Sequence, residues 1–267
     1  MPLPCRNKHN CENPFKDKIL VMDTSSLLNI FNTAICGISE SIPENQRFHN
    51  FRYTVDQILV SIQSCCFGAR IHVTLETFND EMAPLNPDST IRNHASFRNV
   101  CDDNPTSYSI ISRTLKRVLH IQSSNISQTE IRILEQQAGS GPNIIYRQPS
   151  NYDFGLLALA FKLSIERETV LLTDDTNLQK AYENICTVRH FTLFSETIDT
   201  MRVFSTSSLS YLKDIYGCCK IINKDYFCLI DTISSFIEVL KSSSNPLHLL
   251  YERERDQIVR DVSRFNK

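Results

Sequence analysis

The stretch ILVMDTSSLL, residues 19–28, sets the architecture: four apolar residues run straight into Asp23, and after Thr24, Ser25 and Ser26 the chain turns apolar again. A short unbroken apolar run bounded by turn chemistry reads as a strand covered on both faces, the habit of parallel sheets in α/β proteins. Asp23 then stands at the carboxyl end of a central strand, the edge at which open α/β sheets bind ligands. The hydroxyl residues supply the cap of a helix running from Ser25 or Ser26 to about Phe31.

The same pattern recurs downstream. ARIHVT (69–74) is a short strand, followed by a helix with Phe78 and Met82 inward that stops near Pro84. Residues 51–67 carry Val55, Ile58, Leu59 and Ile62 at helical spacing. TVLLT (169–173) is a second fully buried strand, closed by Asp174 and Asp175; DFGLLALAF (153–161) opens an apolar helix before it, and RHFTLF (189–194) is a last strand. The spacing also predicts helices over 108–121 and 130–137, a long polar loop over 86–106 with one helical turn or more, and no strand beyond about 200. Helices are expected around 208–216, 225–241 and 247–264. The organisation read from this is a tail at 1–17, an α/β domain at 18–200, and an α-helical C-terminal extension at 201–267.

With 267 residues, 41% hydrophobic and 22% charged, the chain has room for a large core. A net charge of −2 gives no global attraction to nucleic acid, so any such binding rests on local basic patches. Ten scattered cysteines and no charged-then-apolar start point to reduced thiols and an intracellular setting, cytoplasmic or, in a eukaryote, nuclear. No apolar run is long enough to cross a bilayer. Cys5, His9 and Cys11 form only a fragment of a zinc pattern.

Alternating strands and helices imply right-handed crossovers, which put Asp23 and the pair Asp174 and Asp175 on one edge of the sheet. Asp153, at a helix start, and Glu81, in the helix after IHVT, can reach the same place. Carboxylates that converge without basic partners repel one another unless a divalent cation lies between them, and a site lacking Cys and His suits Mg²⁺ or Mn²⁺. Asp153 and Asp174 also fit as plain helix caps.

ILVMDTSSLL, DFGLLALAF and VLLTDDTNL, in that order, resemble the signatures of PIN-domain ribonucleases over residues 18–196. The resemblance implies a three-layer α/β/α fold with a central parallel sheet, a Mg²⁺ or Mn²⁺ site and single-stranded RNA as substrate. Asp23 matches the first acid, Asp153 the third and Asp175 the fourth, with Asp174 beside it. The second falls best on Glu81, with Glu76 and Asp80 as alternatives. The activity implied is metal-assisted phosphodiester hydrolysis. Thr24 and Asn177 are candidates to support ligands or contact phosphate. Arg113, Lys116, Arg117, Arg92 and Arg98 are candidate phosphate contacts, although a run like LKR (115–117) equally describes a solvated helix face. The segment 83–150 is longer than in compact members, and the C-terminal 70 or so residues match no element of the family.

A haloacid-dehalogenase phosphatase would need a second Asp where Ser25 stands, and no G-x-x-x-x-G-K motif is present. The competing reading is a catalytically weak PIN-fold RNA-binding or scaffold protein acting through its helical extension. There Phe227, Ile230, Ile233, Ile237 and Leu240 form an apolar stripe suited to the chain's own core, a homo-oligomer or a protein partner.

Overall fold

The computed structural model describes residues 14–36, 43–123, 126–208, 210–212 and 214. The stripe at 227–240, the helices expected beyond 216 and the Cys5, His9 and Cys11 group lie outside them.

Strand β1 (Ile19–Met22) leads through Asp23 into helix α1 (Thr24–Cys36), and α2 (Glu44–Ser64) returns the chain to β2 (Ile71–Thr74). Thr74 caps the short α3 (Leu75–Thr77), accepting the Thr77 N–H on its hydroxyl, and a π-helical turn, Phe78–Met82, extends it. The polar connection is folded: it holds α4 (Thr90–Asn93), capped by Ser89, and α5 (Ala95–Cys101). Ile91, Phe97 and Cys101 anchor these turns in the core, so the periodic apolar residues outweigh the polar composition between them.

Helix α6 (Pro105–Val118) runs without a break into β3 (Leu119–Gln122). The helix expected to reach 121 therefore ends at 118, because LHIQ alternates apolar and polar residues with the period of a strand. Then come α7 (Gln128–Gly139), α8 (Asn151–Ser164), β4 (Thr169–Leu172) and α9 (Thr176–Ile185). The last expected strand is not part of the main sheet: β5 (His190–Leu193) pairs antiparallel with β6 (Glu196–Asp199). The fifth parallel strand is instead β7 (Val203–Thr206). The boundary expected at 200 thus falls before the last strand of the sheet.

The five-stranded sheet is parallel throughout, in the order β3-β2-β1-β4-β7. Helices flank both faces. Leu20, Met22, Ile71, Val73, Val170 and Leu172 pack under α1, α2, α5 and α6, while Val21, Leu171 and Val203 face α7, α8 and α9. Helix α8 is apolar nearly all round, as a helix enclosed by protein must be, and it crosses β1, β2 and β4. Phe15, in the expected tail, stacks on buried Tyr211 at 4.3 Å, so residues from both sides of the sheet sequence close the first core. Cys65, Cys66, Cys101 and Cys186 form no disulfide among the described residues. No helix among the described residues is long and apolar enough to cross a membrane.

The chain leaves β1 toward β2 on one side, and β4 lies on the other. The carboxyl ends of β1 and β4 therefore flank the point where strand order reverses, the crevice in which open α/β sheets hold ligands.

Candidate functional site

Asp23 lies in that crevice and is 2% exposed. Its N–H continues the ladder to the Leu172 carbonyl at 2.9 Å, and its carbonyl accepts the first helical bond of α1, from Leu27. The carboxylate oxygen Oδ2 accepts the Thr173 hydroxyl at 2.8 Å and the Ser25 hydroxyl. Burial pushes the carboxyl up to about 7, the charge of Asp153 adds to the rise, the Ser25 and Thr173 hydrogen bonds oppose it, and Glu81 adds a smaller push.

The three hydroxyl residues after Asp23 each serve a different carboxylate. Thr24 donates to Glu81 Oε2 at 2.6 Å, Ser25 to Asp23, and Ser26 to Asp174 Oδ2 at 2.9 Å. Glu81 is thus the acid of the π-helical turn that meets Thr24 at the β1 edge. Asp80 turns instead to the Tyr152 hydroxyl, tying that turn to the start of α8. Burial raises Glu81, against the Thr24 bond, and the charges of Asp153 and Asp80 raise it further.

Asp153 stands in the first turn of α8 in a capping box, its Oδ2 accepting the Ser150 N–H at 2.6 Å while its own N–H donates to the Ser150 hydroxyl. Burial raises it too, the Ser150 bonds and Arg147 lower it, and Asp175 raises it. Asp175 is the cap of α9, accepting Asn177 N–H at 2.7 Å and Leu178 N–H at 3.4 Å. The cap expected of Asp174 thus belongs to its neighbour. Asp174 instead braces the crevice wall, accepting Ser26 and the Ser208 N–H, while its own N–H donates to Ser25.

The charges of Asp153 and Glu81 reach Asp23, that of Asp153 reaches Glu81, and that of Asp175 reaches Asp153, while among the described residues no cation is paired with Asp23 or Glu81. Their donors are all oxygens, the set a hard divalent ion prefers. As they stand, no three His, Cys, Asp or Glu side chains among the described residues gather tightly enough to share one metal ion. A magnesium-sized ion keeps several waters and takes one or two carboxylates directly, so the donor set fits a hydrated ion with the other acids reaching it through water.

The basic candidates lie elsewhere. The last turn of α6 feeds β3, so Lys116 and Arg117 stand at the amino edge of the sheet, opposite Asp23. Arg117 pairs with Asp56, and with Arg113 and Arg52 it lines a groove of about 600 Å³ between α2 and α6. Arg98 grips Asp103 and Arg92 lies over the Tyr108 ring, both holding the 86–106 connection. Asn177 accepts the Arg147 N–H at 3.4 Å. In the sequence Ser25, Ser26 and Thr173 read only as cap and strand residues, and the signal for their role is that hydroxyls adjoin both acidic strand ends.

Comparisons with protein-family models, with curated proteins and with solved structures each returned no match.

Proposed function

We propose that the chain is a metal-dependent ribonuclease of the PIN-domain type, with that family's three-layer α/β/α architecture, hydrolysing phosphodiester bonds of single-stranded RNA. The observation that carries this reading is a carboxylate buried to 2% exposure at the strand-order reversal and raised to about 7, with the charges of Asp153 and Glu81 adding to the rise. A protein pays for such an arrangement in stability, and buried acids with shifted pKa values in a crevice are a mark of function.

Asp23, Glu81 and Asp153 would hold Mg²⁺ or Mn²⁺ and its waters, with Asp175 adding negative charge beside Asp153. When bound, the ion lowers the pKa of a water and neutralises charge on the phosphate. Ser25 and Thr173 orient Asp23 through its Oδ2, and Thr24 fixes Glu81, so neither acid has to find its rotamer when substrate arrives. An intracellular setting goes with this reading.

Two observations favour the second reading, a PIN-fold RNA-binding or scaffold protein with a weak metal site: Asp153 and Asp175 both serve as helix caps, and no three ligands are gathered among the described residues. Incubating the full chain with end-labelled single-stranded RNA separates the two. The nuclease cuts in millimolar Mn²⁺ and not in EDTA, and Asp23→Asn lowers the rate at least about a hundredfold, the scale of losing charge stabilisation in a transition state. No Mn²⁺-dependent cutting, or equal cutting by Asp23→Asn, contradicts the nuclease reading.

A further inference from the structure

We propose that residues 143–149 form a platform on which a base of single-stranded RNA stacks beside the carboxylate edge, with Tyr146 as the stacking ring and Arg147 and Lys180 as phosphate contacts. The proposal rests on the ribonuclease reading and names where the strand is gripped.

The segment is held along one face of α9, by Asn177, Lys180 and Asn184. Asn143 donates its N–H to buried Asn184 at 2.8 Å, and Asn184 returns a bond to the Asn143 carbonyl at 3.0 Å and another to Ala138 at 2.8 Å. Lys180 donates to the Ile144 carbonyl at 3.1 Å, and the Arg147 N–H donates to Asn177 at 3.4 Å, next to the Asp175 cap. Ile145 packs inward and Pro149 is buried. On this fixed backbone Tyr146 is 83% exposed and Ile144 69% exposed. The ordered backbone thus presents an aromatic ring and an aliphatic side chain to solvent at fixed positions.

The chemistry of the surface selects the ligand. The Lys180 ammonium lies 4.3 Å from the Tyr146 ring centroid on one face, leaving the ring otherwise open to solvent. An unpaired base presents a flat face that stacks on such a ring, whereas bases inside a duplex are already stacked. The Arg147 N–H bonds to Asn177, two residues past Asp175, and the segment runs directly into the start of α8, whose first turn carries Asp153, so the platform adjoins the acids. The chain carries a net charge of −2 and the acidic edge repels phosphate, so a strand reaching that edge needs local cations such as this pair.

The test is fluorescence anisotropy of a fluorescein-labelled oligouridine bound by the full chain in EDTA, where metal-dependent cutting is absent. Tyr146→Ala is expected to weaken binding about tenfold, the loss of one stacked base, while Tyr146→Phe stays within about twofold of wild type. Arg147→Gln should reduce the slope of log Kd against log salt by about 0.7, one phosphate contact on a single strand. Wild-type affinity in Tyr146→Ala, or no binding by the wild type, overturns the platform. The two readings fail separately. RNA bound through Tyr146 but left uncut in Mn²⁺ upholds the platform and removes the nuclease, and RNA cut in Mn²⁺ with Kd and rate unchanged in Tyr146→Ala does the reverse.

Discussion

Replacing Asp23 with Asn keeps the side chain's shape and an oxygen for the Ser25 and Thr173 hydroxyls, and removes only the charge. The carboxyl rises from 3.8 to about 7 on folding, so below about pH 4 both folded and unfolded chains hold the proton, and between about 4 and 7 only the folded chain does. The apo protein therefore loses stability as pH rises through that window and loses no more above it. At roughly 1.4 kcal/mol per unit, the loss is at most about 4 kcal/mol. Asp23→Asn is expected to melt above wild type at pH 8 in EDTA, with the gap closing toward pH 4; a lower melting temperature at pH 8 contradicts the account. Asp174→Ala should act in the opposite sense, since it strands the Ser26 hydroxyl, which is fully buried, and the Ser208 N–H. Urea unfolding should register about 1–3 kcal/mol lost. Asp23 was legible in the sequence because an apolar strand rarely ends on an acid without reason. The partition of three consecutive hydroxyls among three acids was not, because hydrogen-bond partners depend on rotamers and on which loops meet.

At the level of elements, the strands and helices around Asp23, Asp153 and Asp175 follow from uninterrupted apolar runs and their caps. The missed strands share a cause. β3 and β7 lie at the two edges of the sheet, and an edge strand needs fewer apolar residues: β3 shows only Leu119 and Ile121 to its core, and VFST in β7 looks like loop chemistry. RHFTLF has strand composition, but its alternation is satisfied equally by a hairpin, and strand propensity does not name a partner. The 139–150 connection is held by Asn184, and a Cβ at Gly141 would lie 2.3 Å from the Asn184 side chain. Gly141→Ala must displace that brace. It is expected to cost about 1–3 kcal/mol in chemical denaturation and, by shifting 143–149, to weaken RNA binding. Unchanged stability would mean that Asn184 is not holding the segment.

For the molecule as a whole, the sequence order of strands and helices was enough to bring four acids to one edge, because parallel crossovers leave no other placement for strand ends. It was not enough to bring the basic helix there. Arg113, Lys116 and Arg117 precede an unrecognised strand, and that strand carries the end of their helix to the far edge. The reach of the domain past 200 has a direct consequence. Truncation after Thr200 removes β7 and the buried Tyr211 and Leu212, so the shortened chain is expected to lose its sharp thermal transition. A cooperative melt would show that β7 is dispensable.

Manganese binding to the intact chain, followed by the loss of the free-ion paramagnetic resonance signal, tests whether the acids around Asp23 form a cation site. Wild type is expected to remove Mn²⁺ from solution at or below millimolar concentration and to melt higher as the ion is added, by the linkage of binding to folding. Asp23→Asn, although more stable without metal, should neither bind nor respond. Wild type that leaves Mn²⁺ free at several millimolar, or Asp23→Asn that binds it equally well, would contradict the account.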